Sequence, residues 1–189
     1  IISSMNAHIS YKDYFLAAMP SLDDTDFAQS VILIQEHNDE GALGLIINKP
    51  QHRVGIIDVL EHLNIPVACE EFRDQSVFMG GPVSQEQGFV IHDRVAADSS
   101  NTLGFELSAS KDMLESIAQG EGPDNFIVTL GYSGWETGQL EKEIIQNDWL
   151  VIPAKSHILF STPVEKRWEE SLKLLGINPS HLSNMTGHA

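Results

Sequence analysis

The sequence predicts one α/β domain with a mixed β-sheet flanked by helices. Short apolar runs rich in β-branched residues alternate with amphipathic segments of helical period, and no internal repeat or low-complexity linker interrupts them. A chain of 189 residues is long enough for one well-buried core and short for two ordinary domains. We expect residues 1–13 to be an N-terminal extension, disordered in part, and residues 14–189 to form the domain.

A buried β-hairpin followed by a helix is predicted in the first half of the chain. Residues 14–19 form a short apolar strand. The runs 31–37 and 42–48 are almost continuously apolar and are separated by Asn-Asp-Glu-Gly, which favours a turn, so they predict a hairpin buried on both faces. Apolar residues then recur at helical spacing as far as Leu63. Further short strands are expected at 76–79, 88–92 and 102–107.

Helix boundaries are marked most clearly in the second half. Ser110 is a preferred N-cap residue before an amphipathic segment that Gly120 can end. Residues 162–165, Thr-Pro-Val-Glu, have the composition of a capping box with proline at the first helical position. They predict a C-terminal helix whose inner face includes Leu172 and Leu175. Strands are also expected at 125–130 and 149–152, and a helix at 136–147.

The charge of the chain argues against several classes of partner. Eleven Lys and Arg face 27 Asp and Glu, which gives a formal net charge of −16, and the basic residues are scattered. We therefore expect no direct binding of nucleic acid or of an anionic membrane. No apolar run is long enough to span a bilayer, no secretory signal is visible, and Cys69 is the single cysteine. These features suit a cytoplasmic protein.

Several patterns resemble catalytic or metal-binding motifs without completing them. Ser108-Ala109-Ser110-Lys111 matches S-x-x-K, but the two companion motifs are absent and Ser110 is better placed as a helix cap. Residues 131–135 resemble a nucleophile elbow in which the second glycine comes one residue early. The eight histidines lack the spacing of metal ligands. We predict no catalytic residues, no metal and no cofactor.

Three segments are candidates for a ligand or partner cleft. Each follows a predicted strand and combines a permissive backbone with aromatic or soft side chains. Ligands often bind where strand ends meet, so we expect these segments to line one cleft. The candidate residues are Met19, Pro20, Gly80, Gly81, Pro82, Gly131, Tyr132, Ser133, Gly134 and Trp135.

Six segments resemble the AlgH family, in the family's own order. They are FLAAMPSLDD (15–24), EHNDEGALGLIINKP (36–50), FMGGPVSQEQGFVIH (78–92), SKDMLESIAQGEGP (110–123), LGYSGWETGQLEKEI (130–144) and TGHA (186–189). The resemblance implies a mixed, barrel-like sheet flanked by helices in a bacterial cytoplasmic protein. It supplies no catalytic residue, and members are often labelled candidate transcriptional regulators on genetic grounds. Gln35 stands where many members have cysteine, which excludes thiol chemistry at that position.

Taken together, the sequence predicts a non-catalytic binding or regulatory protein that acts indirectly, through a protein or a small ligand. Two alternatives stay open. One is a hydrolase that uses Ser133 with a nearby histidine. The other is a regulator that binds DNA directly, which the net charge disfavours.

Random duplex DNA should show no measurable affinity for this protein at physiological salt. The net charge of −16 repels phosphates, and no stripe of Lys or Arg offsets it. A gel-shift assay over a range of salt concentrations checks this expectation. A salt-sensitive shift at low micromolar protein would contradict it.

Overall fold

The computed structural model describes residues 9–93 and 102–182, which form nine strands and six helices. The strands are β1 (Tyr14–Ala18), β2 (Val31–Asn38), β3 (Gly41–Ile46), β4 (Pro50–Gly55), β5 (Ser76–Met79), β6 (Val83–His92), β7 (Glu106–Ser108), β8 (Phe126–Glu136) and β9 (Trp149–Pro153). The helices are α1 (Ile56–His62), α2 (Lys111–Ala118), α3 (Gln139–Ile145), α4 (Ser156–Phe160), α5 (Arg167–Lys173) and α6 (Pro179–Leu182). The TGHA segment and residues 1–8 of the predicted extension lie outside the described residues.

All nine strands belong to one mixed sheet. Its main path is β4-β5-β8-β3-β2-β1-β9, and β6 joins it by pairing with β8 and carries β7 at its other side. The pairing of β5 with β8 is parallel, and the other pairings of the described strands are antiparallel. The predicted mixed α/β domain is confirmed. Over the described residues the sheet is open and does not close into a barrel.

The side-chain alternation of the strands gives the sheet two buried faces. On β1, Phe15 belongs to the largest hydrophobic cluster and Leu16 to a cluster on the opposite face. On β8, Ile127 belongs to the largest cluster and Val128 to one on the opposite face. The largest cluster lies beneath α4, α5 and α6. On the opposite face, α1 and α2 cover one cluster and α3 covers a second.

The predicted hairpin is confirmed as β2 and β3. Their register pairs Ile32 with Ile46 and Asn38 with Gly41, with an irregularity between Ile34 and Glu36. Both strands are apolar because β1 and β8 flank them inside the sheet. The predicted cap of α2 is also confirmed, since the Ser110 hydroxyl accepts the N–H of Asp112 at 3.2 Å.

Three predicted elements are wrong in extent. The strand expected at 125–130 continues as β8 to Glu136, so the residues expected to form a turn before a helix are paired with β3. Sheet pairing there overrides the turn preference of the two glycines. The following helix is correspondingly shorter, Gln139–Ile145 instead of 136–147. The strand expected at 102–107 is reduced to β7.

The predicted capping box is also wrong. The Thr162 hydroxyl donates to the carbonyl of His157 at 2.9 Å and caps no helix, and a single 3₁₀ turn, Val164–Lys166, precedes α5. Leu172 is buried as expected, but Leu175 is 42% exposed because α5 ends before it. Strand β4 was not predicted, since its sequence is polar and begins with proline.

Strand β8 passes from one part of the sheet to the other at Gly131. Val128 pairs with β5 and β6, whereas Ser133 pairs with Gly44 of β3. Gly131 has a φ of +76°, in the left-handed region that favours glycine. The strand can therefore turn there without leaving the sheet.

The backbone of Gly80 and Gly81 packs against this turn. A Cβ on Gly81 would lie 2.1 Å from the carbonyl carbon of Tyr132, and one on Gly80 would lie 2.3 Å from the carbonyl oxygen of Gly131. The Gly80 carbonyl also accepts the N–H of Ile46 at 2.9 Å. Any side chain at these two glycines would force the strands apart.

The substitution Gly81→Ala should lower the free energy of unfolding by about 1–3 kcal/mol. The new methyl group would overlap backbone atoms of Tyr132, which are held in the sheet and cannot move away. Gly134→Ala is the matched control in the adjoining strand. Its Cβ would meet only the Tyr132 ring, at 3.7 Å, so the change should stay within about 0.5 kcal/mol. Urea denaturation measures both, and equal losses would contradict the packing described here.

Candidate functional site

Two of the three segments predicted to line a cleft meet closely. Gly80 and Gly81 pack on Gly131 and Tyr132, and the Ser133 hydroxyl donates to the Gly80 carbonyl at 3.2 Å. Ser133 is only 1% exposed. This arrangement leaves no open space between the two segments, so their glycines have a packing role. A role for the group in binding a ligand or partner stays a prediction.

The neighbouring side chains of the same segments point in different directions. Tyr132 is half-buried and lies edge-on to Phe89, with ring centroids 6.4 Å apart. Trp135 is buried against Trp149, and its indole N–H donates to Glu143 at 2.6 Å. Pro82 and Gly134 are exposed.

Met19 and Pro20 lie farther along the sheet. The N–H of Met19 donates to the carbonyl of Asp148, beside β9. Gly80 is bonded to β3, and β2 lies between β3 and β1. The end of β1, where Met19 and Pro20 lie, is therefore three strand spacings from Gly80, about 14 Å. The structure therefore groups eight of the ten predicted residues in two adjoining segments and places Met19 and Pro20 apart from them.

The geometry at Ser133 does not form a nucleophile elbow. An elbow exposes the serine oxygen at a sharp turn between a strand and a helix. Here Ser133 lies within β8, its side chain is buried, and its hydroxyl proton is directed at the Gly80 carbonyl. A substrate would have to break open the sheet to reach the oxygen.

The S-x-x-K segment forms a strand-to-helix junction. Ser108 ends β7, and its hydroxyl accepts the N–H of Ser110 at 3.2 Å. Ser110 caps α2, and Lys111 forms a surface ion pair with Glu115 at 3.8 Å. Both hydroxyl groups thus hold the backbone at the start of the helix.

A cavity of about 420 Å³ lies beside this junction, between α1, α2 and β6. We call it the α1–α2 cavity. Its volume falls in the range of small-molecule sites, and its walls are mainly apolar. The apolar lining residues are Val54, Val59, Leu63, Val90, Leu114 and Leu130.

The rim of the α1–α2 cavity carries both signs of charge. Asp58 and Glu86 are acidic, and Lys111 is basic, with His62 beside them. Asp58 already accepts the N–H of Gly55 at 2.8 Å. Within the described part of the chain, the Lys111 ammonium is held only by its long, half-exposed pair with Glu115, a kind of contact that contributes little. Lys111 is therefore the rim cation that can turn toward a ligand.

A larger cavity, of about 510 Å³, is lined mostly by polar groups. It lies beside Lys12, Asp13 and the irregularity of β2, and it includes Gln35, the position that carries cysteine in many members of the resembled family. An amide there has neither the nucleophilicity nor the redox chemistry of a thiol. Its polar walls fit a ligand less well than those of the α1–α2 cavity.

His37 is a buried histidine that joins separate elements. Its Nδ1 accepts the N–H of Tyr11 at 2.9 Å, and its Nε2 lies 2.5 Å from Glu141 of α3. Since Nδ1 accepts a hydrogen bond, Nε2 carries the ring N–H and donates a hydrogen bond to the carboxylate. Across residues 9–93 and 102–182, no group of three His, Cys, Asp or Glu side chains could hold a metal ion. No helix in those ranges is long and apolar enough to cross a bilayer.

Comparison with known proteins identifies the class to which this fold belongs. The AlgH-like family model matches residues 15–180. A UPF0301 protein of Coxiella burnetii is 48% identical over 177 residues, covering 94% of this chain and 96% of that protein. A UPF0301 protein of Ralstonia pickettii is 44% identical over 191 residues, the whole of both chains.

Solved structures agree with the family match. The solution structure of the AlgH protein from Pseudomonas aeruginosa is similar, with a TM-score of 0.74 and 39% identity, over 96% of this chain and 99% of that chain. A crystal structure from Corynebacterium diphtheriae shares the fold, with a TM-score of 0.70 and 20% identity. The chain belongs to the AlgH-like family.

Removing the Ser133 hydroxyl should leave the protein folded at a small cost. Ser133→Ala loses one neutral hydrogen bond, but the Gly80 carbonyl keeps the N–H of Ile46 as a partner. The free energy of unfolding should fall by about 0.5–1.5 kcal/mol. Thr137→Ala removes an exposed hydroxyl that donates to Glu40 at 3.2 Å, and as the control it should cost less than about 0.5 kcal/mol. Denaturant titration that finds no cost at Ser133 would contradict the buried bond.

Proposed function

We propose that this protein is a non-catalytic binding protein whose ligand site is the α1–α2 cavity. The observation that carries the proposal is the cavity itself, a mainly apolar space of about 420 Å³ held between two helices and a strand. The expected cytoplasmic location and regulatory role belong to the same proposal. Regulation would then act through what occupies this cavity or what contacts the occupied protein.

The chemistry of the cavity favours a small amphipathic ligand. Val59, Val90 and Leu114 offer an apolar surface for the body of the molecule. Lys111 at the rim can meet one acceptor or anionic group, while Asp58 is already engaged by Gly55. A ligand with an apolar body and one polar end satisfies both parts of the lining.

The serine geometry favours binding over hydrolysis. Ser133 is buried and bonded to Gly80, and Ser108 and Ser110 accept backbone N–H groups at the start of α2. Hydrolysis requires an exposed serine beside a general base. In the structure described here, none of these three hydroxyl groups is an exposed serine placed beside a general base.

Net charge favours an indirect role in regulation. The formal charge of −16 opposes binding to DNA phosphates. A family resemblance to candidate transcriptional regulators therefore supports an effect transmitted through a ligand or protein partner. It gives no support to direct contact with an operator.

The test uses 8-anilinonaphthalene-1-sulfonate, a fluorescent probe with an apolar body and one anionic group. We expect saturable binding to the native protein. Gly88→Leu should weaken it about tenfold or more, because Gly88 lines the cavity and its Cβ position has ordinary space for a side chain. Gly134→Leu is the matched control on an exposed strand position and should change the affinity less than about twofold.

Near-UV circular dichroism must accompany the titration, because the same probe also binds partly unfolded states. The proposal fails if the native protein shows no saturable signal. It also fails if Gly88→Leu, shown to be folded, binds the probe as the parent does.

A further inference from the structure

The side chain of Arg167 is a buried cation in a chain of high negative charge. Arg167 opens α5 and is only 6% exposed. Its guanidinium donates to the carbonyl of Ile47 and, through Nε, to the carbonyl of Thr162 at 3.3 Å. It also lies over the Phe78 ring, 5.2 Å from the centroid. These contacts join α5 to the ends of β3 and β5.

Among the residues that the structure describes, the charge of this guanidinium has no close counterion. An arginine has five N–H donors, and two are used here, both on neutral carbonyls. Within the described ranges, no carboxylate lies within salt-bridge distance of Arg167. Burial lowers the pKa of Arg167 to about 10, although the charge of Glu165 works in the opposite direction. A buried charge without a partner is costly, and an anion would relieve that cost.

Arg167 faces a second cavity, of about 230 Å³, on the side of the sheet opposite the α1–α2 cavity. At roughly 30 Å³ per water molecule, this volume corresponds to about seven or eight waters, which suits a small organic molecule. Phe78, Leu159 and Phe160 form apolar walls. The hydroxyl of Ser76 stands at the exposed end.

We propose that this cavity binds a small organic carboxylate, with its carboxylate on Arg167 and its apolar part against Phe78 and Phe160. The planar guanidinium presents paired N–H groups that match a carboxylate. A monoanion fits better than phosphate, since one cation faces the cavity and Phe78, Leu159 and Phe160 make one part of its wall apolar. This cavity shares no lining residue with the α1–α2 cavity, so the carboxylate proposal can be tested separately from the proposed function.

Sodium benzoate is the probe, with sodium phosphate and sodium chloride at matched ionic strength as comparisons. In ¹⁵N-labelled protein, benzoate should shift the Nε–H resonance of Arg167 saturably, with a dissociation constant of about 1 mM or below. Phosphate and chloride should not reproduce the saturable shift. Equal shifts with all three salts, or no saturation up to roughly 20 mM benzoate, would overturn the proposal.

Two variants test the site, one by filling its exposed end and the other by replacing the guanidinium. Ser76→Phe fills the exposed end while Arg167 keeps its internal bonds, and it should weaken benzoate binding about tenfold or more. Arg167→Lys keeps the charge but removes the planar fork, and a similar loss is expected. Arg73→Leu removes an exposed arginine paired with Glu70 and should bind as the parent does.

The variants also separate this site from the proposed function. Ser76→Phe should leave binding of 8-anilinonaphthalene-1-sulfonate unchanged, because its side chain lies outside the α1–α2 cavity. Folding of each variant is verified by its amide spectrum. If Ser76→Phe is folded and binds benzoate like the parent, benzoate binds elsewhere and the carboxylate site is wrong.

Discussion

The close approach of two backbone segments, Gly80–Gly81 and Gly131–Tyr132, holds the two parts of the sheet together. Strand β8 pairs with β5 before Gly131 and with β3 after it, while β6 pairs with it on both sides, through Gly88–His92 before Gly131 and through Val83 at Tyr132. The change of partner needs a left-handed residue in the strand and a neighbour without a side chain. Glycine alone satisfies both demands. The faces on which the helices pack follow from this junction.

Helix α5 completes the junction from one face. Arg167 bonds the carbonyl of Ile47 and covers Phe78, while the Trp168 indole N–H donates to the carbonyl of Ala18 at 2.9 Å. One short helix therefore satisfies carbonyls at the ends of β1 and β3 and covers a ring of β5.

The sequence could predict what local patterns determine. The β2–β3 hairpin follows from two apolar runs around a turn, and the Ser110 cap follows from a hydroxyl before an amphipathic segment. The extent of β8 could not be predicted, because Gly131 and Gly134 favour a turn until β3 supplies hydrogen-bond partners. The apparent capping box failed for a related reason, since the Thr162 hydroxyl bonds His157 of α4, a helix the pattern did not indicate.

The candidate sites were harder to predict than the fold, for a geometric reason. The glycines and Ser133 after a strand predict a site, and the structure shows that they pack closely, while their role in binding stays a prediction. Both cavities arise between elements far apart in sequence: α1 and α2 in one case, β5 and α5 in the other. Neither leaves a local motif. Arg167 could not be recognised from the sequence either, because its burial depends on where α5 packs against the sheet.

Anion binding by a chain of charge −16 is physically consistent when the cation is buried. At physiological ionic strength the charges of the surface are screened over about 8 Å, so the net charge slows the approach of an anion only weakly. Arg167 is only 6% exposed, so water screens its charge less than that of a surface arginine, and its attraction for a carboxylate is correspondingly larger. An extended polyanion such as DNA cannot enter so small a space and meets only the acidic surface. The proposed carboxylate site is thus compatible with the expected exclusion of nucleic acid.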